Sequence, residues 1–171
     1  AIANEPDLPE VPSRYRIVRE IGRGGMGIVY EAHDQGLDRR CALKVLGTTT
    51  GPGDELRARL VREALAAARL RHPNIAAVFD AASGHISMQL VEGGPITTIP
   101  RSECRRIVTL VRDAALAVQH AHERGIVHRD LKPSNVLVEG ERVFVVDFGL
   151  AKELHADATS VGILGTPAYM A

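Results

Sequence analysis

A mostly polar run of eight residues, His128 to Asn135, constrains this chain more than any other segment. It lies between a long amphipathic helix pattern and a short apolar strand. Asp130 can accept the proton of an attacking hydroxyl, Lys132 can neutralise charge on a transferring group, and Asn135 offers a neutral oxygen to Mg²⁺. A capped loop with incidental charges is the competing interpretation, but chance accounts poorly for this octet. The octet therefore predicts a phosphoryl-transfer loop.

A second motif, Asp147-Phe148-Gly149, directly follows the apolar segment 143–146. An aspartate at the end of a buried strand is usually metal-bound, hydrogen-bonded or functional. As a hard anionic oxygen donor, Asp147 can bridge Mg²⁺ to phosphate, and Gly149 permits the chain to turn. The tripeptide alone would mean little, but its position after the octet indicates a metal ligand.

A glycine cluster, Gly22 to Gly27, matches the pattern G-x-G-x-x-G. A plain glycine-rich turn is an equal alternative while the cluster is taken alone. A dinucleotide-binding fold would need a helix at the last glycine, whereas the β-branched and aromatic residues 28–30 follow it. A P-loop is excluded because no Gly-Lys-Ser/Thr follows. We therefore predict a hairpin whose backbone N–H groups lie over phosphates, with Val29 packed on the group that carries them.

Lys44 lies within the apolar strand pattern of residues 41–46, on the same face as Ala42. A strand lysine that extends to water is the commoner case. However, Glu63 falls within the apolar stripe of a predicted helix, where a carboxylate is costly unless a cation meets it. We therefore predict that Lys44 and Glu63 form an ion pair beside the glycine loop. The small Ala42 leaves room for a flat aromatic base.

Hydrophobic periodicity predicts a small β-rich lobe followed by a helical lobe. Strands are expected near residues 15–21, 28–30, 41–46, 75–79, 86–91, 136–138 and 143–146, and helices over 54–71 and 102–125. The expected end of the first helix is set by His72-Pro73.

Composition excludes several classes of protein. Twenty-one basic residues balance twenty-one acidic ones, which does not favour nucleic-acid or membrane-surface binding. No apolar run approaches a membrane span. The two cysteines, Cys41 and Cys104, do not suggest a disulfide framework and favour a reducing compartment. Because residue 1 is alanine, the chain is expected to be processed or to be a piece of something longer.

Together these motifs resemble the eukaryotic-type protein kinase family, in its bacterial serine/threonine form, from Tyr15 to the end of the chain. The resemblance implies an α+β, protein-kinase-like two-lobe fold. It implies a small antiparallel β lobe with one helix over residues 15–92, and an incomplete helical lobe with the catalytic loop and activation segment over 93–171. Residues 1–14 are expected to be a disordered proline-rich leader.

The resemblance also assigns site residues and implies ATP and Mg²⁺ as cofactors. Met88 would be the gatekeeper beside the base, and residues 89–91 the hinge that hydrogen-bonds adenine. Asp130, Lys132, Lys44 and Glu63 would be catalytic, and Asn135 and Asp147 would bind metal. The implied ATP-binding residues are Ile21, Gly22, Gly24, Gly25, Gly27, Val29, Ala42, Lys44, Met88, Gln89, Val91 and Leu137.

The implied activity is transfer of the ATP γ-phosphoryl group to serine or threonine of a protein substrate in the cytoplasm, or on the cytoplasmic side of a longer, membrane-anchored kinase. Thr166, in the tail 165–171, resembles the threonine that helps to select a serine or threonine hydroxyl. We hypothesise that Thr159 or Ser160 is autophosphorylated, in a dimer, and paired by Arg129. A flexible, unmodified loop is the equal alternative.

Three departures from the family pattern keep other functions open. The chain ends at Ala171, where the family continues with Pro-Glu, so we expect poor independent stability. The segment 93–102 leaves little room for the helix that normally follows the hinge, and Gln89 stands where the family usually has glutamate. A truncated or pseudokinase-like nucleotide-binding module without turnover is the alternative function. A small-molecule phosphotransferase is disfavoured by the peptide-site pattern of residues 166–169.

Overall fold

A computed structural model describes residues 11–24, 27–46, 53–82 and 84–148, and for 53–57 it describes the backbone alone. Two helices and eight strands follow one another in these ranges, with short 3₁₀ turns at Ile96–Thr98 and Pro133–Asn135. The elements are β1 (Tyr15–Gly24), β2 (Gly27–Asp34), β3 (Arg39–Leu46), α1 (Gly53–Ala67), β4 (Val78–Ala82), β5 (His85–Met88), β6 (Gly94–Pro95), α2 (Cys104–His122), β7 (Val136–Glu139) and β8 (Arg142–Val145).

The first lobe is an antiparallel sheet with the strand order β1-β2-β3-β5-β4, and α1 lies beside it. Because side chains alternate along a strand, β3 contributes to two cores at once. Cys41, Leu43 and Val45 pack with the tyrosines of β1 and β2. Ala42 and Leu46 pack on the other face, with Leu60 and Ala64 of α1. This arrangement confirms the small antiparallel β lobe with one helix.

The second lobe packs α2 against a small sheet in the order β6-β7-β8. Its core contains four α2 residues, four valines from β7 and β8, and three residues from the first lobe, namely Ala67, Leu70 and Ile75. The two lobes therefore share an apolar core, and a second cluster packs Ala76 and Val91 against Phe144 of β8. On the outer side of α2, Val108, Val111 and Leu116 are more than half exposed. None of the helices in the described ranges combines the length and apolar character needed to cross a membrane.

Two predicted strands begin or end at other residues in the structure. Strands were expected at 75–79 and 86–91, whereas β4 and β5 span Val78–Ala82 and His85–Met88. Ile75 instead forms an isolated parallel bridge with Val145 of β8. Val145 donates its N–H to the Asn74 carbonyl at 2.8 Å, and Ala76 donates to the Val145 carbonyl at 3.1 Å. The apolar character at residues 75–77 thus reflects a contact with the second lobe.

The helices end earlier than their apolar stripes predicted. α1 stops at Ala67, and the next turn is closed by tighter bonds such as Leu70 N–H to the Ala67 carbonyl at 2.9 Å. α2 stops at His122, and Gly125 follows with a φ of 73°, the left-handed conformation that commonly terminates helices.

The connection after the hinge is short, as expected from residues 93–102. Gly94 and Pro95 pair with Val138 and Leu137 as β6, and only the 3₁₀ turn Ile96–Thr98 follows before α2 approaches. The boundary between lobes at residue 92 stays a prediction.

A fully buried carboxylate holds the start of β1 to the β2–β3 turn. Asp34 has no solvent exposure and accepts bonds from Arg14 Nε at 2.6 Å and Arg14 Nη2 at 2.7 Å. The backbone N–H of Gly36 donates to the same carboxylate at 3.0 Å. The hydrogen bonds from Arg14 lower the pKa of the Asp34 carboxyl, although burial opposes them.

We expect Asp34→Ala to lower the free energy of unfolding by about 3 kcal/mol, because the substitution leaves a guanidinium and backbone donors without their anion. Denaturant unfolding at neutral pH measures this. Asp38→Asn is the control, since Asp38 lies in the same turn with its side chain 95% exposed, and asparagine tolerates its positive φ of 46°. Equal losses in the two variants would contradict the assigned role of Asp34.

Candidate functional site

A cleft of about 540 Å³ lies between the two sheets, a size typical of small-molecule sites. Residues of both lobes line it. Those already assigned from the sequence are Ile21, Gly22, Val29, Ala42, Met88, Gln89, Val91, Asn135, Leu137 and Asp147. Leu90, within the predicted hinge 89–91, lines it too. Sequence reasoning missed Arg19, Arg40, Glu92, Gly93, Pro95, Ser134 and Val146, which also line the cleft.

The roof of the cleft is the glycine hairpin of β1 and β2. Gly24 pairs with Gly27, so the glycines join two antiparallel strands as predicted. Gly27 has a φ of 136°, and a Cβ at this position would collide with the carbonyl of Val45. Gly22 and Val29 line the cleft, whereas Gly24 and Gly27 do not. Gly25 lies outside the described residues.

The back of the cleft is the segment that links the lobes. The N–H of Gln89 donates to the Ala77 carbonyl at 2.8 Å, and the side-chain oxygen of Gln89 accepts from the Ala77 N–H at 3.4 Å. The Gln89 side chain is therefore occupied by the neighbouring strand. Within the described part of the chain, no main-chain bond uses the carbonyl of Gln89 or the N–H of Val91. These two groups are the ones that a base in the cleft could use.

Lys44 meets Asp147 across the cleft. The Nζ atom lies 3.1 Å from Asp147 Oδ1, and the lysine side chain is only 7% exposed. An ammonium this deeply buried is costly unless an anion compensates it. Asp147 has a φ of 61°, a left-handed conformation that is uncommon for residues other than glycine. This backbone conformation aims the carboxylate from the end of β8 toward β3.

The predicted ion pair between Lys44 and Glu63 is not formed. Glu63 lies 2.9 Å from Arg129 Nη1, and it is one-fifth exposed. Arg129 has a φ of 68°, which turns its side chain out of the catalytic loop toward α1. Since Asp147 already compensates Lys44, the helix carboxylate takes the nearer guanidinium. Sequence reasoning was right that Glu63 needs a cation, but the cation comes from the other lobe.

The catalytic loop brings three predicted residues together. Lys132 Nζ lies 2.7 Å from Asp130 Oδ2. The side-chain amide of Asn135 donates to the Asp130 carbonyl at 2.9 Å and is 3.4 Å from Asp130 Oδ2. These contacts hold the Asp130 carboxylate next to Asn135, which lines the cleft, although Asp130 and Lys132 themselves are not among the lining residues. They leave the Asn135 side-chain oxygen as the atom that can bind a metal.

His128 is hydrogen-bonded to this loop and to the segment before Asp147, a role that the sequence did not predict. It is 2% exposed, its Nε2–H donates to the Val146 carbonyl at 2.8 Å, and its Nδ1 accepts from the Asp130 N–H at 3.3 Å. Its ring also packs on Phe148, with centroids 4.7 Å apart. Burial lowers the pKa of His128. A neutral ring therefore connects Asp130 to the segment that carries Asp147.

The donor set fits Mg²⁺ held together with phosphate. Asn135 and Asp147 line the same cleft and supply one neutral and one anionic oxygen. Mg²⁺ commonly uses one or two carboxylates and takes its other ligands from phosphate and water. Consistent with this, the described residues contain no group of three or more His, Cys, Asp or Glu that could hold a metal alone.

The proposed regulatory residues Thr159, Ser160 and Thr166 lie outside the described residues. Arg129, which would pair with a phosphorylated residue, is engaged by Glu63. Any phosphate that bound Arg129 would compete with that carboxylate.

Comparison with known proteins agrees with this geometry. Residues 15–171 match the model of the protein kinase domain. The serine/threonine-protein kinase PknJ of Mycobacterium tuberculosis is 41% identical over 184 residues, and PknA of the same organism is 37% identical over 174 residues. These matches cover 99% and 92% of this chain, but 31% and 40% of the relatives. The chain thus spans about a third of the length of these curated relatives.

Solved structures show the same likeness. The M. tuberculosis PknI kinase domain is 36% identical to this chain, with a TM-score of 0.68. The alignment covers 81% of this chain and 59% of the PknI domain.

We expect stability to fall as pH decreases from 7 to 5, because the folded pKa of His128 lies below its unfolded value of about 6.5. The contribution of His128 to the free energy of unfolding is present above that pH and is lost below it. Below that pH the unfolded chain binds a proton at His128 that the folded chain does not bind. His128→Gln retains a donor for Val146 and should remove up to about 1.4 kcal/mol per pH unit from the slope. Urea unfolding at several pH values measures the slope.

His122→Gln is the control, because His122 is exposed near the end of α2. The interpretation of His128 would be wrong if His128→Gln and the wild type showed the same pH dependence.

Proposed function

The chain belongs to the protein kinase domain family, and on that premise we propose that it carries an ATP-dependent protein serine/threonine kinase activity. The observation that carries the proposal is the buried contact of Lys44 with Asp147 at 3.1 Å, in a cleft whose floor also holds Asn135. An ammonium, a carboxylate and an amide oxygen placed together are the groups that a nucleotide triphosphate with Mg²⁺ requires.

The base of ATP would occupy the inner part of the cleft. Ala42 above it and Leu137 below it form an apolar slot. The Gln89 carbonyl and the Val91 N–H would bond the edge of the base, and Met88 would close the slot at its inner end. The glycine hairpin would then cover the phosphates, because glycine backbones allow close approach of N–H groups.

Lys44 would hold the phosphates, and Asn135 and Asp147 would hold Mg²⁺, which supplies charge neutralisation on the transferring group. Lys44 is suited to this role because its ammonium is buried and therefore favours close contact with an anion.

Asp130 would orient the acceptor hydroxyl and take its proton. The hydroxyl oxygen forms a bond to the γ-phosphorus, the bond from that phosphorus to the β–γ bridging oxygen breaks, and ADP leaves. Lys132, 2.7 Å from the Asp130 carboxylate, is placed to stabilise the charge on the transferred group.

The loop motif and the descriptions of the matched relatives indicate which residue type accepts the phosphoryl group. The Lys132-Pro133-Ser134-Asn135 form of the loop is typical of kinases that act on serine or threonine, and the matched relatives carry that description. We propose a protein substrate in the cytoplasm, and activation by phosphorylation of Thr159 or Ser160 between two copies of the chain.

A nucleotide-binding module without turnover is the second candidate. One observation favours it: Glu63 is paired with Arg129 and not with Lys44, so α1 does not help to position the phosphates in this arrangement. Transfer would then require Glu63 to exchange partners.

We expect Asp130→Asn in the full-length protein to reduce phosphate transfer to a generic basic protein by at least about 10²-fold, because the amide cannot take the proton. Binding of MgADP should change by less than about threefold, since it does not depend on that proton. Radiolabel transfer and calorimetry measure the two quantities. Asp113→Asn is the matched control, because Asp113 lies on α2 and pairs only with the neighbouring Arg112 among described residues.

Binding without transfer in the wild type would support the second candidate. A wild-type protein that binds no MgADP would overturn both.

A further inference from the structure

A buried carboxylate near the entrance of the cleft has no role in the phosphoryl transfer proposed for this chain. Glu31 of β2 is 5% exposed. It accepts bonds from Arg40 Nε at 3.1 Å and Arg40 Nη2 at 2.8 Å, and its other oxygen lies 2.9 Å from Arg19 Nη2. The hydrogen bonds from Arg40 hold the pKa of Glu31 below its usual range, although burial opposes them.

Arg40 also reaches the segment that joins the lobes. Its Nη1 lies 2.7 Å from Glu92 Oε1, a contact between residues 52 positions apart. The N–H of Glu92 in turn donates to Glu139 Oε1 of β7 at 2.6 Å. A continuous line of charge-assisted bonds therefore runs from β2 through β3 and the linking segment to β7. We call the residues Glu31, Arg40, Glu92 and Glu139 the hinge strap.

The hinge strap connects the two strands that form the slot for the base. Arg40 lies two residues before Ala42 on the same face of β3, and Glu139 lies two residues after Leu137 on β7. In the same region the backbone of Gly93 packs closely on β7, since a Cβ at this position would collide with the Val138 carbonyl. The strap thus fixes the separation of the residues above and below the base.

We propose that Arg40 is a positioning residue for nucleotide binding, and that the hinge strap sets the gap between Ala42 and Leu137. The inference rests on the proposed nucleotide site. Arg40 lines the cleft, but among the described residues its side chain bonds Glu31 and Glu92 and neither Lys44 nor Asp147, so its loss should weaken nucleotide binding and leave the transfer step intact.

The Arg40–Glu92 bond is expected to contribute little to stability, because the two side chains are 49% and 61% exposed and ion pairs at such positions add little to the free energy of unfolding. This bond is also screened by salt. Arg40→Gln additionally removes two hydrogen bonds from the buried Glu31 and is expected to lower Tm. Glu92→Gln is therefore the variant in which a change in nucleotide affinity with little change in Tm is the signature of positioning.

The test compares the wild type with Arg40→Gln, Glu92→Gln and the double variant in the full-length protein. We expect each single variant to raise the KM for ATP and the Kd for MgADP about three- to fivefold, with kcat within about twofold. Because Arg40→Gln already removes the bond to Glu92, the double variant should be no worse than Arg40→Gln alone. Arg40→Lys should recover part of the affinity, since it keeps the charge and loses the bidentate geometry.

Salt gives an independent measure. Between low and high salt, the Kd for MgADP should rise more steeply in the wild type than in Glu92→Gln, because only the wild type has the bond that salt screens. Arg112→Gln removes another exposed arginine pair and is the control for general effects of salt on the Kd.

Unchanged KM in both single variants would overturn the inference, as would additive effects or a parallel loss of kcat, affinity and Tm. If the wild type binds MgADP and the variants bind it equally, the strap alone is wrong. If the wild type binds no MgADP, the proposed function fails and the inference fails with it.

Discussion

The buried ammonium of Lys44 is the constraint on which the two-lobe arrangement depends. A lysine that is 7% exposed needs an anion close by, and Asp147 supplies it at 3.1 Å from the other lobe. The carboxylate is held in place because the segment before it is bonded on several sides. Ala76 bonds the Val145 carbonyl, the Val146 N–H bonds the Asn135 carbonyl, and His128 bonds the Val146 carbonyl. Bonds within the second lobe therefore hold the segment before Asp147, and two contacts, Ala76 with Val145 and Lys44 with Asp147, join it to the first lobe.

The same principle explains the position of α1. Its apolar side packs on the sheet through Leu60 and Ala64, while its carboxylate Glu63 reaches Arg129 of the catalytic loop. The helix is consequently attached to both lobes. Because an ion pair between partly exposed groups is weak, Glu63 can exchange this partner at a modest free-energy cost. The two candidate functions differ in whether that exchange takes place.

Much of the site could be predicted because its motifs are local. The octet from His128 to Asn135 and the Asp147 motif each set several residues within one turn of chain, and strand alternation placed Ala42 and Lys44 on one face. Pairings between distant segments were not predictable in this way. The sequence indicated that Glu63 needs a cation but could not distinguish Lys44 from Arg129, and nothing local linked Arg40 to Glu92. The strand ends at residues 75–77 were misplaced because apolar residues can serve either lobe.

The most direct test of the central contact is the effect of Mg²⁺ on ADP binding in the wild type and in Asp147→Asn, measured by calorimetry with and without the metal. If the Asp147 carboxylate faces the cleft beside Lys44, Mg²⁺ should strengthen binding to the wild type by about tenfold, or about 1.4 kcal/mol, and should have little effect on the variant. An equal effect of Mg²⁺ on both proteins would contradict the position that the structure gives to Asp147.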